Sequence, residues 1–189
     1  MKKQKLHIYL FRHGQTFYNK NGWFTGWKDS KLSPKGIQHA NTIARKLKNK
    51  KIQVAFQTHL SRSKDTLKPV LKYHSECKKI ITDDRMIERN YGIYSGMSHD
   101  SFIKKYGEKK YHEVHRGWDA YIPKGENFKQ VEKRVKPFIK YLINFMKKNK
   151  VNVAISSHGN SIRLFRKIWE HASIKDTVKW FIPYDKVYD

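Results

Sequence analysis

The sequence predicts an α/β protein in which a mostly parallel sheet is covered by helices on both faces. Three observations carry this expectation. Short β-branched and aromatic runs alternate with stretches of helical periodicity along the 189 residues, the pattern of a parallel sheet with crossover helices. Apolar residues make up 38 % and aromatics 14 % of the chain, enough for a core. No internal repeat and no Ser/Pro/Gly linker interrupts it, so residues 1–189 read as a single domain.

The elements follow in order. "LHIYLF" (6–11) is β-branched and aromatic and gives way to turn-type residues, so it reads as a strand. "LSPKGIQHANTIARKLKNK" (32–50) reads as a helix. Ser33 can cap it, Pro34 suits its first position, and Ile37, Ala40, Ala44 and Leu47 line one face. "QVAFQTH" (53–59) is a second strand, and "SRSKDTLKPVLKYH" (61–74) a helix bent or broken near Pro69. "KKIITDD" (78–84) is a short third strand. A loop-rich section runs from Arg85 to Gly125, with one helix at "SFIKKYG" (101–107). From Glu126 to Lys148, Phe128, Val131, Val135, Phe138, Leu142 and Phe145 mark a long amphipathic helix, which Pro137 should kink or weaken. "VNVAISSH" (151–158) is the fourth strand, "NSIRLFRKIWEHA" (160–172) the helix after it, and "VKWFIPYDKVYD" adds an edge strand.

Composition excludes several classes of function. No stretch approaches 18 apolar residues, so nothing spans a membrane. The basic start "MKKQKLHIYLFRHG" holds an apolar run of only about six residues, too short for a signal-peptide core. A single Cys77 rules out an internal disulfide and a cysteine-based metal cluster, and a reducing cytoplasm is the expected compartment. Lys and Arg number 41 against 16 Asp and Glu, a net charge of +25. Compositional bias, a small anionic substrate and nucleic acid compete to explain it. The lysines are dispersed in short groups, and no nucleic-acid-binding motif accompanies them, which disfavours the last. The chain does not disclose whether it is a monomer or a homo-oligomer.

Two strands end alike, the first in Arg12-His13-Gly14 and the fourth in Ser157-His158-Gly159-Asn160. Glycine there lets the backbone turn sharply and leaves N–H groups free to point at an anion. The second strand adds Thr58 and then Arg62, and the segment after the third adds Glu88 and Arg89. In parallel sheets ligands bind outside the carboxyl ends of the strands, so these groups converge on one pocket. Guanidinium forks match phosphate oxygens. An imidazole is nucleophilic at neutral pH, and fixed cations meet the charge of a phosphoryl-transfer transition state. Arg12 would hold the phosphoryl group, His13 attack it, and Glu88 move the proton. A zinc site built from His13, His158 and Glu88 fits on ligand type, although nothing in the spacing is specific to it. His7, His39 and His171 read as surface or packing residues.

Four segments then carry a resemblance. "FRHGQTFYNKNGWFTGWKDSKLSPKG" (11–36), "FQTHLSRSKDT" (56–66), "ERNYGIYSG" (88–96) and "SSHGNSIR" (156–163) resemble, in order, the segments of the histidine phosphatase superfamily. Within it the chain looks most like the cofactor-dependent phosphoglycerate mutases. The resemblance implies a three-layer α/β/α fold without a metal. It implies phosphohistidine at His13, with Arg12, Arg62 and His158 on the phosphoryl oxygens and Glu88 as general acid and base. Asn19, Thr25 and Gly26 would complete the phosphate pocket, with Gly159 and Asn160 beside it, and Arg89, Tyr91 and Arg116 would contact the rest of the substrate. It implies interconversion of 3- and 2-phosphoglycerate, primed by 2,3-bisphosphoglycerate, with a histidine-type phosphatase acting on phosphate monoesters as the alternative. The chain departs from the mutases in having Ser98-His99 where they carry a lysine and His115-Arg116 where they carry paired arginines. It also has a shortened insert, "WDAYIPKGENF", and lacks a long covering tail. His99 and His115 therefore stand as substrate-side candidates in an open site.

Overall fold

A computed structural model describes residues 5–189. Five strands form the sheet: β1 (Ile8–Arg12), β2 (Val54–Gln57), β3 (Lys79–Thr82), β4 (Val153–Ser157) and β5 (Val187–Tyr188). Their order is β3-β2-β4-β1-β5, parallel except for β5, which pairs antiparallel with β1 at the edge. The helices are α1 (Phe17–Lys20), α2 (Pro34–Leu47), α3 (Ser61–Leu71), α4 (His99–Tyr106), α5 (Glu108–Arg116), α6 (Phe128–Asn149), α7 (Gly159–Trp169) and α8 (Ile174–Thr177).

Alternate strand residues feed two cores, one on each face of the sheet. Tyr9, Phe11, Ala55 and Ala154 pack with Ile43, Ala44 and Leu47 of α2 and with Leu67 and Val70 of α3. Leu10, Phe56 and Ile155 pack with Phe128, Val131, Val135, Phe138 and Leu142 of α6 and with Ile162 and Phe165 of α7. The arrangement is the expected three-layer α/β/α fold. Each large apolar side chain so buried stabilises by about 1.5–3 kcal/mol. A third cluster, including Phe24, Tyr91, Tyr94 and Phe102, sits beneath the loop-rich section. Among the described residues no helix is long and apolar enough to cross a membrane.

Several local expectations are corrected. Ile37 is 54 % exposed, and Ile43 takes its place on the buried face of α2. Pro69 does not break α3, which runs on to Leu71. The helix through Pro137 is continuous, because the proline lies on the solvent face, where water can take up the carbonyl it leaves unpaired. Residues 108–116, read as loop, form α5.

The topology places the site. After β1 the chain passes to α2 on one face, and after β4 it passes to α7 on the other. The chain therefore diverges at the adjacent tips of β1 and β4 and opens a crevice there. The register sets Arg12 level with Ser157, and the His13 N–H donates to the Ser157 carbonyl at 2.9 Å. The two His-Gly pairs thus emerge side by side.

Candidate active site

His13 is 2 % exposed. Its Nδ1 lies 2.7 Å from the Gly14 carbonyl. A carbonyl only accepts, so Nδ1 carries the proton and Nε2 keeps its lone pair. Burial first, then Arg62 and Arg12, holds the ring's pKa well below its ordinary value, so the imidazole is neutral.

Gly14 serves a different purpose from the one expected. Its N–H is not free for an anion but donates to Thr66 Oγ1 at 2.9 Å. A Cβ there would lie 2.2 Å from the Gly36 carbonyl oxygen, so the glycine lets the loop pass against the start of α2. Gly159 does lie at the ligand side: it lines the cavity and opens α7, and a Cβ on it would touch the Arg12 guanidinium at 3.4 Å.

Around His13 the strand tips form a cavity of about 270 Å³. Arg12, Asn19, Thr25, Gly26, Arg62 and Glu88 line it. Arg62, in the first turn of α3, donates to the carbonyls of Gly26 at 2.7 Å and Lys28 at 2.9 Å. Burial brings its pKa down to about 10. Asn19 is pinned by the capping box of α1, its Oδ1 accepting from the Thr16 N–H at 3.1 Å, which leaves Nδ2 as the donor. Glu88 Oε1 accepts from the N–H groups of Arg89 at 2.8 Å and Asn160 at 3.2 Å, which orients the carboxyl.

His158, the residue before α7, is fully buried, its ring centroid 5.0 Å from that of His13. Its Nε2 lies 2.8 Å from Thr58 Oγ1, while Nδ1 has no partner among the described residues. Burial, Arg62 and His13 hold it neutral.

Tyr91, His99, His115, Arg116 and Asn160 also line the cavity. The rings of His99 and His115 are 5.5 Å apart. Burial lowers the pKa of both. That of His115 falls to about 2, with Arg116 and Arg89 adding to the effect. Arg89 stands apart from the lining. It is fully buried between the rings of Tyr91 and Phe128, 4.5 and 4.4 Å away, and donates to the His115 carbonyl.

Five lining side chains escaped the sequence reading: Trp23, Phe24, Arg163, Phe181 and Tyr184. Arg163 follows Gly159 by one helical turn, a spacing that puts both on one face of α7. Phe181 and Tyr184 come from the C-terminal segment, which carries no recognisable signal. That segment covers part of the site: the Arg12 guanidinium lies 3.9 Å from the Tyr184 ring centroid, and Tyr184 stacks on His39. Its alternate carbonyls hold three arginines. Val178 accepts from Arg116 at 3.2 Å, Trp180 from Arg163 at 2.8 Å and Ile182 from Arg12 at 2.8 Å.

His13, Glu88 and His158 each offer a ligand atom within 4.8 Å of the others, so the metal-type cluster read from the sequence does assemble. Four guanidiniums line the same cavity against one carboxylate, and that balance favours an anion over a cation.

Anion capture at the carboxyl ends of a parallel sheet is the class of site this enzyme fold presents. The chain belongs to the Histidine phosphatase superfamily (branch 1), whose match spans residues 8–188. It is 33 % identical over 175 residues to the 2,3-bisphosphoglycerate-dependent phosphoglycerate mutase of Mesorhizobium japonicum, covering 91 % of this chain and 85 % of that one. It is 35 % identical over 161 residues to the phosphoglycerate mutase of Schizosaccharomyces pombe, covering 82 % and 75 %. The fold matches a mycobacterial glucosyl-3-phosphoglycerate phosphatase with a TM-score of 0.80 at 20 % identity, over 94 % of this chain and 86 % of that one.

Proposed function

We propose that this chain interconverts 3-phosphoglycerate and 2-phosphoglycerate through a phosphohistidine at His13. One observation carries the reading. His13 is neutral, its proton is held on Nδ1 by Gly14, and its Nε2 lone pair is free in a cavity that Arg12 and Arg62 line. The mutase names of relatives such as those of Mesorhizobium japonicum and Schizosaccharomyces pombe support it.

With His13 phosphorylated, Glu88 takes the proton of the substrate's free hydroxyl. That oxygen attacks phosphorus, the Nε2–P bond breaks, and its electron pair returns to the ring. After the bound molecule reorients, Nε2 attacks its other phosphorus. The P–O ester bond breaks, and Glu88 returns the proton to the departing oxygen. Arg12, Arg62 and His158 meet the equatorial oxygens throughout. The cavity suits a ligand with two anionic centres, since four guanidiniums line it, Arg12, Arg62, Arg116 and Arg163. 2,3-Bisphosphoglycerate would span them and supply the phosphoryl group that first charges His13.

A second reading rests on His99 and His115. Both are held neutral, so they lend the cavity wall no charge with which to retain a carboxylate. With weaker retention water becomes the acceptor, and the same residues form a phosphatase of monoesters. Labelled 2,3-bisphosphoglycerate separates the two. Acid-labile label should appear on His13, be absent from His13→Ala, and be discharged by 3-phosphoglycerate with little release of inorganic phosphate. Discharge by water at the same rate with or without 3-phosphoglycerate selects the phosphatase, and stoichiometric label on His13→Ala refutes both.

A further inference from the structure

Arg163 is 8 % exposed, and burial lowers its pKa to about 9. A buried cation is ordinarily paired with an anion. Among the described residues Arg163 forms no ion pair, and neither does Arg116, its neighbour in the cavity wall. Its hydrogen bonds go to neutral acceptors only: Nε to the Trp180 carbonyl at 2.8 Å and Nη1 to Asn160 Oδ1. That leaves Nη2 without a protein partner. It also fixes the Asn160 amide with its oxygen toward Arg163, so Asn160 Nδ2 is the atom available as a donor.

We infer that Arg163 is a specificity-determining residue: with Arg116 it forms a two-guanidinium subsite that selects substrates carrying a carboxylate besides the phosphoryl group. The inference deepens the mutase reading and rests on it. His115 is neutral and contributes no charge to it. The charge comes instead from α7, so one rigid helix carries both Gly159, which lies against Arg12, and the Arg163 guanidinium beside Arg116. Arg163 contributes its own N–H groups and turns Asn160 to face the same anion. Its guanidinium is anchored by a backbone carbonyl, so it is oriented before a ligand arrives and keeps its charge for it.

Equilibrium binding of three probes tests this. 3-Phosphoglycerate has the carboxylate, glycerol 3-phosphate lacks it, and inorganic phosphate reports the phosphoryl site alone. The native protein should bind 3-phosphoglycerate more tightly than glycerol 3-phosphate. Arg163→Met should weaken 3-phosphoglycerate by about ten- to a hundredfold, the range for a lost hydrogen bond to a charged group, and glycerol 3-phosphate and inorganic phosphate far less. Arg163→Lys keeps the charge without the fork and should fall between; it carries the test if the methionine variant does not fold. A preference for 3-phosphoglycerate that survives both substitutions overturns the inference and leaves the mutase reading standing. Equal weakening of all three probes also overturns it, making Arg163 a packing residue. A native protein with no preference for the carboxylate fails the mutase reading itself, and the inference with it.

Discussion

Thr58 joins the fold to the chemistry through one hydrogen bond. His158 is neutral, and its Nδ1 has no partner among the described residues. For Nδ1 to donate to a phosphoryl oxygen it must carry the ring's only proton, and Nε2 must then accept from Thr58 Oγ1, 2.8 Å away. Thr58→Val keeps the shape and removes the donor. Both partners are fully buried, so Nε2 is left unsatisfied at a cost of about 1–3 kcal/mol. For a chain of this length each kcal/mol lowers Tm by about 2–4 °C, so Tm should fall by roughly 2–12 °C. The ring then loses its tautomer preference and its orientation but remains in place. Turnover should drop on the order of tenfold, short of the hundred- to thousandfold expected when an oxyanion donor is removed outright. Thr58→Ser restores the hydroxyl and should recover most of the rate. Steady-state turnover of 3-phosphoglycerate and a thermal melt on the three proteins measure both effects. A valine variant with native turnover and Tm, or a serine variant as impaired as the valine one, refutes the tautomer argument.

Two further outcomes follow from the same burial and packing. His13, His158 and His115 all have folded pKa values below the ordinary 6.5, so the unfolded chain takes up protons that the folded one refuses. Their contribution is intact above pH 6.5 and is lost as pH falls below it, at about 1.4 kcal/mol per pH unit for each ring. Urea midpoints should drop steeply between about pH 7 and pH 5, and a flat profile would show that these rings are not held neutral. Gly36→Ala would put a Cβ 1.9 Å from the Gln15 carbonyl oxygen, against backbone that cannot yield without moving the loop between His13 and Asn19. It should cost about 1–3 kcal/mol by overpacking and depress turnover as well, whereas unchanged activity at a lowered Tm would uncouple that loop from the site.

The layers were legible because each strand is a compact apolar run and each major helix has a periodic face. The His-Gly pairs were legible because both follow such runs, and β1–β4 register turns that likeness into adjacency. Helix α5 was not, since Val114 is its one buried residue and the polar stretch EKKYHEVHR carries too few apolar residues to mark a buried face. The role of Gly14 was misread because its close partner, Gly36, lies 22 residues on (36 − 14), and nothing local records that approach. Arg89 reads like a pocket residue from its place beside Glu88. Its alternate position sends it between two aromatic rings instead, a distinction that only packing makes.

The arginines divide in a way that no local pattern reveals. Arg85, Arg134 and Arg166 each pair with a carboxylate, Asp83, Glu126 and Glu170, and none of the three lines the cavity. Arg12, Arg62, Arg116 and Arg163 line it, and all are anchored by backbone carbonyls. Among the described residues Arg62 alone of the four forms an ion pair, with Asp29 at 3.8 Å, while the cavity's one carboxylate, Glu88, also acts on Arg62 and Arg163. A carbonyl orients a guanidinium without cancelling its charge, whereas a carboxylate does both. Holding cations by carbonyls therefore leaves their charge available to a ligand at the moment of binding, with no internal ion pair to break first. The C-terminal segment supplies three of these anchors from Val178, Trp180 and Ile182, so a stretch with no chemistry of its own sets the direction of Arg116, Arg163 and Arg12 together. The overall charge of +25 is a separate matter, because a dispersed surface excess can hasten the arrival of an anion, while only oriented, unneutralised groups can hold its phosphorus in line with His13.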